Sequence, residues 1–140
     1  MIRRAETSDL SVVTDLALKL WPGHDRIELM AEMEELLKKE DAAFFLAGER
    51  GFAQCQLRYD YVEGTESSPV GYLEGIYVED SCRRRGFAKE LLAACETWAR
   101  EQGCREFASD CELTNTQSLR FHLGLGFEEA NRIICFTKKL

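Results

Sequence analysis

Three features of the sequence predict one α+β layered domain spanning residues 1–140. Strand-like runs at 42–47, 52–61 and 70–78 follow one another across short polar turns. One strongly amphipathic helix, 86–102, comes after them, and a strand, a helix and a last strand close the chain. Two element types that alternate only in part make a mixed sheet with helices packed on it.

The elements follow in order. Residues 7–20 carry Val13, Leu16, Ala17 and Leu20 at the spacing of one helix face. Trp21-Pro22-Gly23-His24 ends that helix, since Pro and Gly break the pattern. Asp25 with Glu28 three residues on marks the next helix start, and Leu29, Met30, Met33, Leu36 and Leu37 form its stripe. Residues 70–78 are rich in aromatic and β-branched side chains, and the glycine inside them, Gly75, predicts a bulge or a close approach. Ala88, Leu91, Leu92, Cys95, Trp98 and Ala99 line one face of the long helix, with Gly103 as its stop. Residues 105–109 read as a short strand. Thr114-Asn115-Thr116-Gln117 has the form of a capping box for a helix to Leu123, and residues 133–137 read as a final strand.

Composition narrows the function. The net charge of −7 disfavours nucleic acid as a partner and favours cationic small molecules. No apolar run has the length of a membrane span, and the first residues lack the apolar stretch of a signal peptide, so a cytoplasmic protein without a membrane partner is expected. The six cysteines contain no C-x-x-C pair and read as reduced, mostly core thiols, with no metal site.

The most informative segment is 78–89, where a strand ends and a basic, glycine-containing loop opens the long helix. Gly86 tolerates positive φ, the first amides of the helix are unpaired, and Arg83, Arg84 and Arg85 add positive charge, which makes a pyrophosphate pocket. A solvated basic cluster at a helix start is the alternative. Glu74 within a strand and Asp110 at the end of another are candidates for acid–base work, because an interior acid without a partner is costly. A salt bridge or an exposed edge is the other reading for each.

Arg83-x-x-Gly86-x-Ala88 resembles the R/Q-x-x-G-x-G/A acyl-CoA loop of the GNAT N-acetyltransferases. Leu73–Val78, Asn115 and Gly126-Phe127 fall where that family has its other landmarks. Leu20–His24, Asp60–Val62, Ser67–Val70, Gly103–Glu106 and Ala108–Asp110 are similar to its aminoglycoside 6′-N-acetyltransferase branch.

The resemblance implies a mixed central sheet splayed at a bulge and flanked by about four helices. It implies acetyl-CoA as co-substrate, with Ile76, Tyr77 and Val78 pairing the pantetheine arm. Arg83 to Lys89 (with Arg84, Arg85, Gly86, Phe87 and Ala88) would hold the pyrophosphate, and Asn115 would lie near the thioester. The Val78 amide would serve the oxyanion, while Glu74 and Asp110 would bind and deprotonate the ammonium of a cationic amino-sugar. His122 stands where many members carry a proton-donating Tyr, with a packing role as its alternative. Trp21, His24, Tyr61 and Glu129 would shape the acceptor site. The dull readings are a helix-end anchor for Trp21 with His24, a core aromatic for Tyr61 and a solvated charge for Glu129. Asn131 replaces an acid frequent in the branch. A homodimer through C-terminal edge strands, using Ile133, Ile134 and Phe136, is also implied. Acetylation of a polyamine, peptide or other amine is the rival activity, and a non-catalytic acyl-CoA sensor is the rival class.

Overall fold

A computed structural model describes residues 1–140. Its centre is a five-stranded sheet in the order β1 (Ile2–Arg4), β2 (Ala42–Ala47), β3 (Gly51–Arg58), β4 (Val70–Val78), β5 (Phe107–Ser109). The first four strands pair antiparallel and β5 joins β4 in parallel. Helices α1 (Leu10–Leu20) and α2 (Arg26–Lys38) cover one face. Their Val13, Leu16, Leu29 and Met33 pack with Phe44, Leu46 and Phe52 of the sheet. Helix α3 (Phe87–Glu101) covers the other face, where Leu91, Leu92, Cys95, Trp98 and Ala99 meet Ala43, Phe45, Cys55 and Leu73. The alternation of β2, Phe44 and Leu46 one way and Ala43 and Phe45 the other, feeds both layers, which is why all six of its residues are buried. Helix α4 (Thr116–Gly124) follows β5. No helix is long and apolar enough to cross a membrane.

Strands β2 and β4 coincide with the expected spans, helix α3 is one residue shorter at each end with Gly86 and Gln102 as its caps, and the Asp25 carboxylate caps α2 by accepting the Glu28 N–H at 3.1 Å. Four expectations need correction. Strand β3 stops at Arg58 rather than Tyr61, because its ladder with β4 ends at Arg58↔Val70. Strand β5 begins at Phe107 rather than Arg105; the parallel ladder reaches only from Phe107 to Ser109. The cap of α4 is Asn115, whose side-chain oxygen accepts the Ser118 N–H at 3.0 Å, and Thr114 lies outside the helix. Residues 133–137 form no strand: Ile133, Ile134 and Phe136 are 71%, 78% and 87% exposed, and no strand of this chain lies beside them. The short strand β1, paired from Ile2↔Ala47 to Arg4↔Phe45, was not foreseen.

Candidate active site

Two features of β4 open a slot in the sheet. Opposite β3 the register slips between Gln54 and Cys55, so Glu74 is an extra residue, a bulge that turns the strand. On its other side the pairing with β5 ends at Leu73↔Ser109, while β4 runs on through Glu74, Gly75, Ile76, Tyr77 and Val78 with no strand beside them. The Glu79 N–H bonds the Arg50 carbonyl at 2.8 Å. By the alternation of an antiparallel ladder, the main-chain groups of Val78 and Ile76 therefore point away from β3, into the slot. Consistent with this, the Val78 carbonyl accepts from Arg83 Nε at 3.0 Å.

At the end of the slot a short 3-10 turn, Asp80–Cys82, leads into the basic loop. Arg84 (φ +67°) and Gly86 (φ +81°) are both left-handed, and the first helical bond of α3 is Glu90 N–H to the Gly86 carbonyl at 3.0 Å. The amides of Phe87, Ala88 and Lys89 thus precede the helix ladder and carry the positive end of its dipole. The three arginines do not act alike. Arg83 is drawn back to Val78 and to Asp80 at 2.8 Å, whereas Arg85 lines a separate hollow of about 570 Å³ with Arg50 and Ser81.

On the α1/α2 face, successive positions of β3 change from Phe52, in the core, to Gln54 and Gln56, which line a cleft of about 550 Å³ where the helices give way, with Arg58 next in the series. Trp21, His24, Gln54 and Glu74 line it together with α2. Glu74 is 17% exposed and is held by Arg58, whose Nη2 and Nε reach its two oxygens at 2.8 and 3.1 Å. The Arg58 guanidinium also lies 3.5 Å over the Tyr72 ring, and the Tyr72 hydroxyl donates to Asp110. Burial and that carboxylate push the Tyr72 phenol well above its usual range, so it stays a donor. The two acids are therefore joined through Arg58 and Tyr72, neither of which the sequence pointed to. Asp110 is exposed rather than interior, because β5 has ended one residue earlier.

His122 sits between the Phe121 and Phe127 rings. Its Nδ1 lies 2.7 Å from the Ser118 carbonyl, which only accepts, so Nδ1 carries a proton. In the neutral imidazole Nε2 is then the acceptor for the Ser109 hydroxyl at 2.8 Å. Ser109 Oγ is also 3.4 Å from the Leu73 carbonyl, at the point where β4 and β5 part. Where the two strands part there is thus a serine hydroxyl backed by imidazole. Asn115 uses its side-chain oxygen as the α4 cap, which leaves its NH2 group for a ligand.

The structure thus brings Trp21, His24 and Glu74 to one cleft, and Ile76–Lys89, Ser109 and Asp110 to the adjoining slot and its ends. It does not bring Tyr61 or Glu129 there. Tyr61 is 75% exposed on a loop, its hydroxyl 3.3 Å from Glu63, and Glu129 pairs with Arg132. Gln54, Arg58, Tyr72 and Ser109 are the residues that sequence reasoning missed. The run of polar residues at alternate positions after Phe52 was the available signal for the first two.

The acetyltransferase (GNAT) family model matches residues 10–127. The chain is 44% identical over 142 residues to aminoglycoside N(6′)-acetyltransferase type 1 of Salmonella typhimurium, covering 99% of this chain and 98% of that relative. It is 42% identical to the enzyme of the same name from Serratia marcescens, covering 100% and 99%. Among solved structures, AAC(6′)-Iy bound to the bisubstrate analogue CoA-S-monomethyl-acetylneamine superposes with a TM-score of 0.94 at 43% identity, covering 100% of this chain and 98% of that one. AAC(6′)-IG from Acinetobacter haemolyticus gives 0.94 at 38%, covering 100% and 99%. With a split sheet edge, a left-handed basic loop at a helix start and matches over the whole chain, this protein belongs to the GNAT acetyltransferase family.

Proposed function

We propose that this chain is an acetyl-CoA-dependent N-acetyltransferase acting on the 6′-amine of aminoglycosides, in a complex holding both substrates. The observation that carries the reading is the open edge of β4, which meets an acidic cleft at Glu74. A thioester and a cationic amine thereby find adjoining sites. The residues fit the first of these: open main-chain groups at Ile76, the Val78 N–H, and unpaired amides at 87–89 under basic side chains. Acetyl-CoA supplies the acyl group on a good leaving group.

The chain supplies the rest. The Val78 N–H is aimed into the slot, where it stabilises negative charge developing on the acyl oxygen. Glu74 and Asp110 attract the acceptor ammonium and take its proton, with Glu74 exchanging its Arg58 partner for the incoming cation. On the thiolate side, once His122 has taken up a second proton, its Nε2–H passes that proton to Ser109 Oγ as the Ser109 proton passes to the departing thiolate, which leaves the ring neutral. Trp21 and His24 wall the acceptor.

Two further readings accompany this one. Residues 128–140 form no backbone–backbone hydrogen bond within the chain, although Ile133, Ile134 and Phe136 are apolar and exposed. An extended apolar segment with open main-chain groups fits a homodimer in which this tail pairs with a second copy. The six free cysteines suit a reducing compartment, the cytoplasm.

The test is CoA-thiol release from acetyl-CoA with aminoglycoside pairs that carry an amine or a hydroxyl at the 6′ position. Turnover confined to the 6′-amine members is expected. Release with a polyamine or peptide alone would overturn the substrate and keep the chemistry.

A further inference from the structure

Tyr72 does more than fill space between the two acids. It is 6% exposed and forms a small core with Val62 and Val70, against which Ala108 packs. The Arg58 guanidinium covers its ring, 3.5 Å from the centroid. A buried tyrosine needs a partner for its hydroxyl, and here the hydroxyl donates to Asp110 Oδ2. Asp110 has little else to hold it. It stands one residue beyond the last pair of the β5 ladder, Leu73↔Ser109, exposed and in no salt bridge. The bond from Tyr72 is its only side-chain hydrogen bond, so Oδ1 has no protein partner. Arg58 has two attachments, the Glu74 carboxylate and the Tyr72 ring. Giving up the first to an incoming cation leaves the second, and the ring stays covered.

We infer that Tyr72 is a positioning residue for the acceptor: it holds the Asp110 carboxylate by one oxygen and leaves the other for the ammonium. The inference rests on the reading of Glu74 and Asp110 as the acids that receive the amine. It adds how the second acid, beyond the end of its strand, is kept in place relative to the first. Tyr72 and Glu74 are two residues apart on β4 and both meet Arg58, so one strand places both acids, Glu74 directly and Asp110 through the phenol. An exposed carboxylate free to rotate loses that freedom when an amine binds, whereas one already held has little left to lose.

The experiment is Tyr72→Phe, which keeps the ring and its packing and removes only the hydroxyl. With neamine as acceptor, kcat/KM for neamine should fall about 10- to 100-fold, the range for a lost hydrogen bond to a charged group. KM for acetyl-CoA and the melting temperature should stay close to the parent's. A tyrosine that only packs would leave the kinetics of this variant unchanged, since the ring is retained. Calorimetric titration of the CoA-saturated protein with neamine gives the second readout. Tyr72→Phe should weaken neamine in the parent and have no further effect in an Asp110→Asn background, because it acts through that carboxylate. Parent-like kinetics in Tyr72→Phe, or an equal loss of neamine affinity in both backgrounds, would overturn the inference alone, provided the parent acetylates neamine. A parent that neither binds nor acetylates neamine would overturn both this inference and the substrate reading beneath it.

Discussion

Gly75 gives the sharpest test of how the cleft is built. A Cβ placed there would lie 2.7 Å from both Cη2 and Cζ2 of Trp21 and 2.9 Å from Leu20 Cδ2, where ordinary contact begins at 3.4 Å. The indole would have to retreat by about 0.7 Å, the difference between those distances. It has little room, because its ring centroid is 6.3 Å from Phe52, which is fully buried. Overpacking of this kind costs about 1–3 kcal/mol, and the stiffer unfolded chain of alanine offsets about 0.4–1 kcal/mol of it. A net loss of about 1–2 kcal/mol remains. For 140 residues at about 2.1 cal/mol/K each, 1 kcal/mol corresponds to about 3.4 °C, so Gly75→Ala should melt about 3–7 °C lower.

Scanning calorimetry measures that drop, and steady-state kinetics should show a raised KM for the amine with CoA affinity unchanged, since Trp21 walls only the acceptor side. The control is the same substitution in a Trp21→Leu background. There only the flexible end of Leu20, at 2.9 Å, still meets the Cβ, and Gly75→Ala should cost much less. An equal loss of melting temperature in both backgrounds would show that Trp21 is not what excludes a side chain at position 75.

Other consequences are as direct. Ser109→Ala and His122→Gln should each lower kcat about 10- to 100-fold with KM little changed, and the double variant should be no worse than either, as one relay requires. The Arg3 guanidinium and the Glu6 amide hold the Asp9 carboxyl down to about 2 from 3.8. Its folded pKa is depressed, so its stabilisation is complete above the unfolded value and is lost as pH falls toward about 2. Asp9→Asn should therefore lower the melting temperature at pH 7 and flatten the decline between about pH 4 and 2 in a thermal titration. Ellman's reagent should label Cys111 and Cys135 on the native monomer and spare the four buried thiols. If the tail pairs with a second copy, Cys135 becomes slow in the dimer, and Phe136→Lys should yield a monomer by sedimentation with Cys135 fast again.

Helix α3 and strands β2 and β4 were legible because each answers to one dominant signal: a 3.6-residue apolar face, an unbroken apolar run, a β-branched and aromatic stretch. The basic loop was legible for a similar reason, since Gly86 and the open amides that follow it are local properties of the chain. The final strand failed for a reason of the opposite kind. Residues 133–137 have strand composition, but a strand exists only beside another, and this chain offers none there.

The acids show the same division between what is local and what is not. That Glu74 is interior was readable from its place in β4, and an interior acid does need a partner. Which partner it has depends on a bulge that makes Glu74 the unpaired residue, and on a register that brings Arg58 opposite Val70. No pattern along the sequence carries that register. In the proposed reaction Arg58 holds the place on Glu74 that the acceptor ammonium takes. In that reading Glu74 is held in place by both Arg58 contacts before substrate arrives, at the expense of exchanging one cation for another when it does.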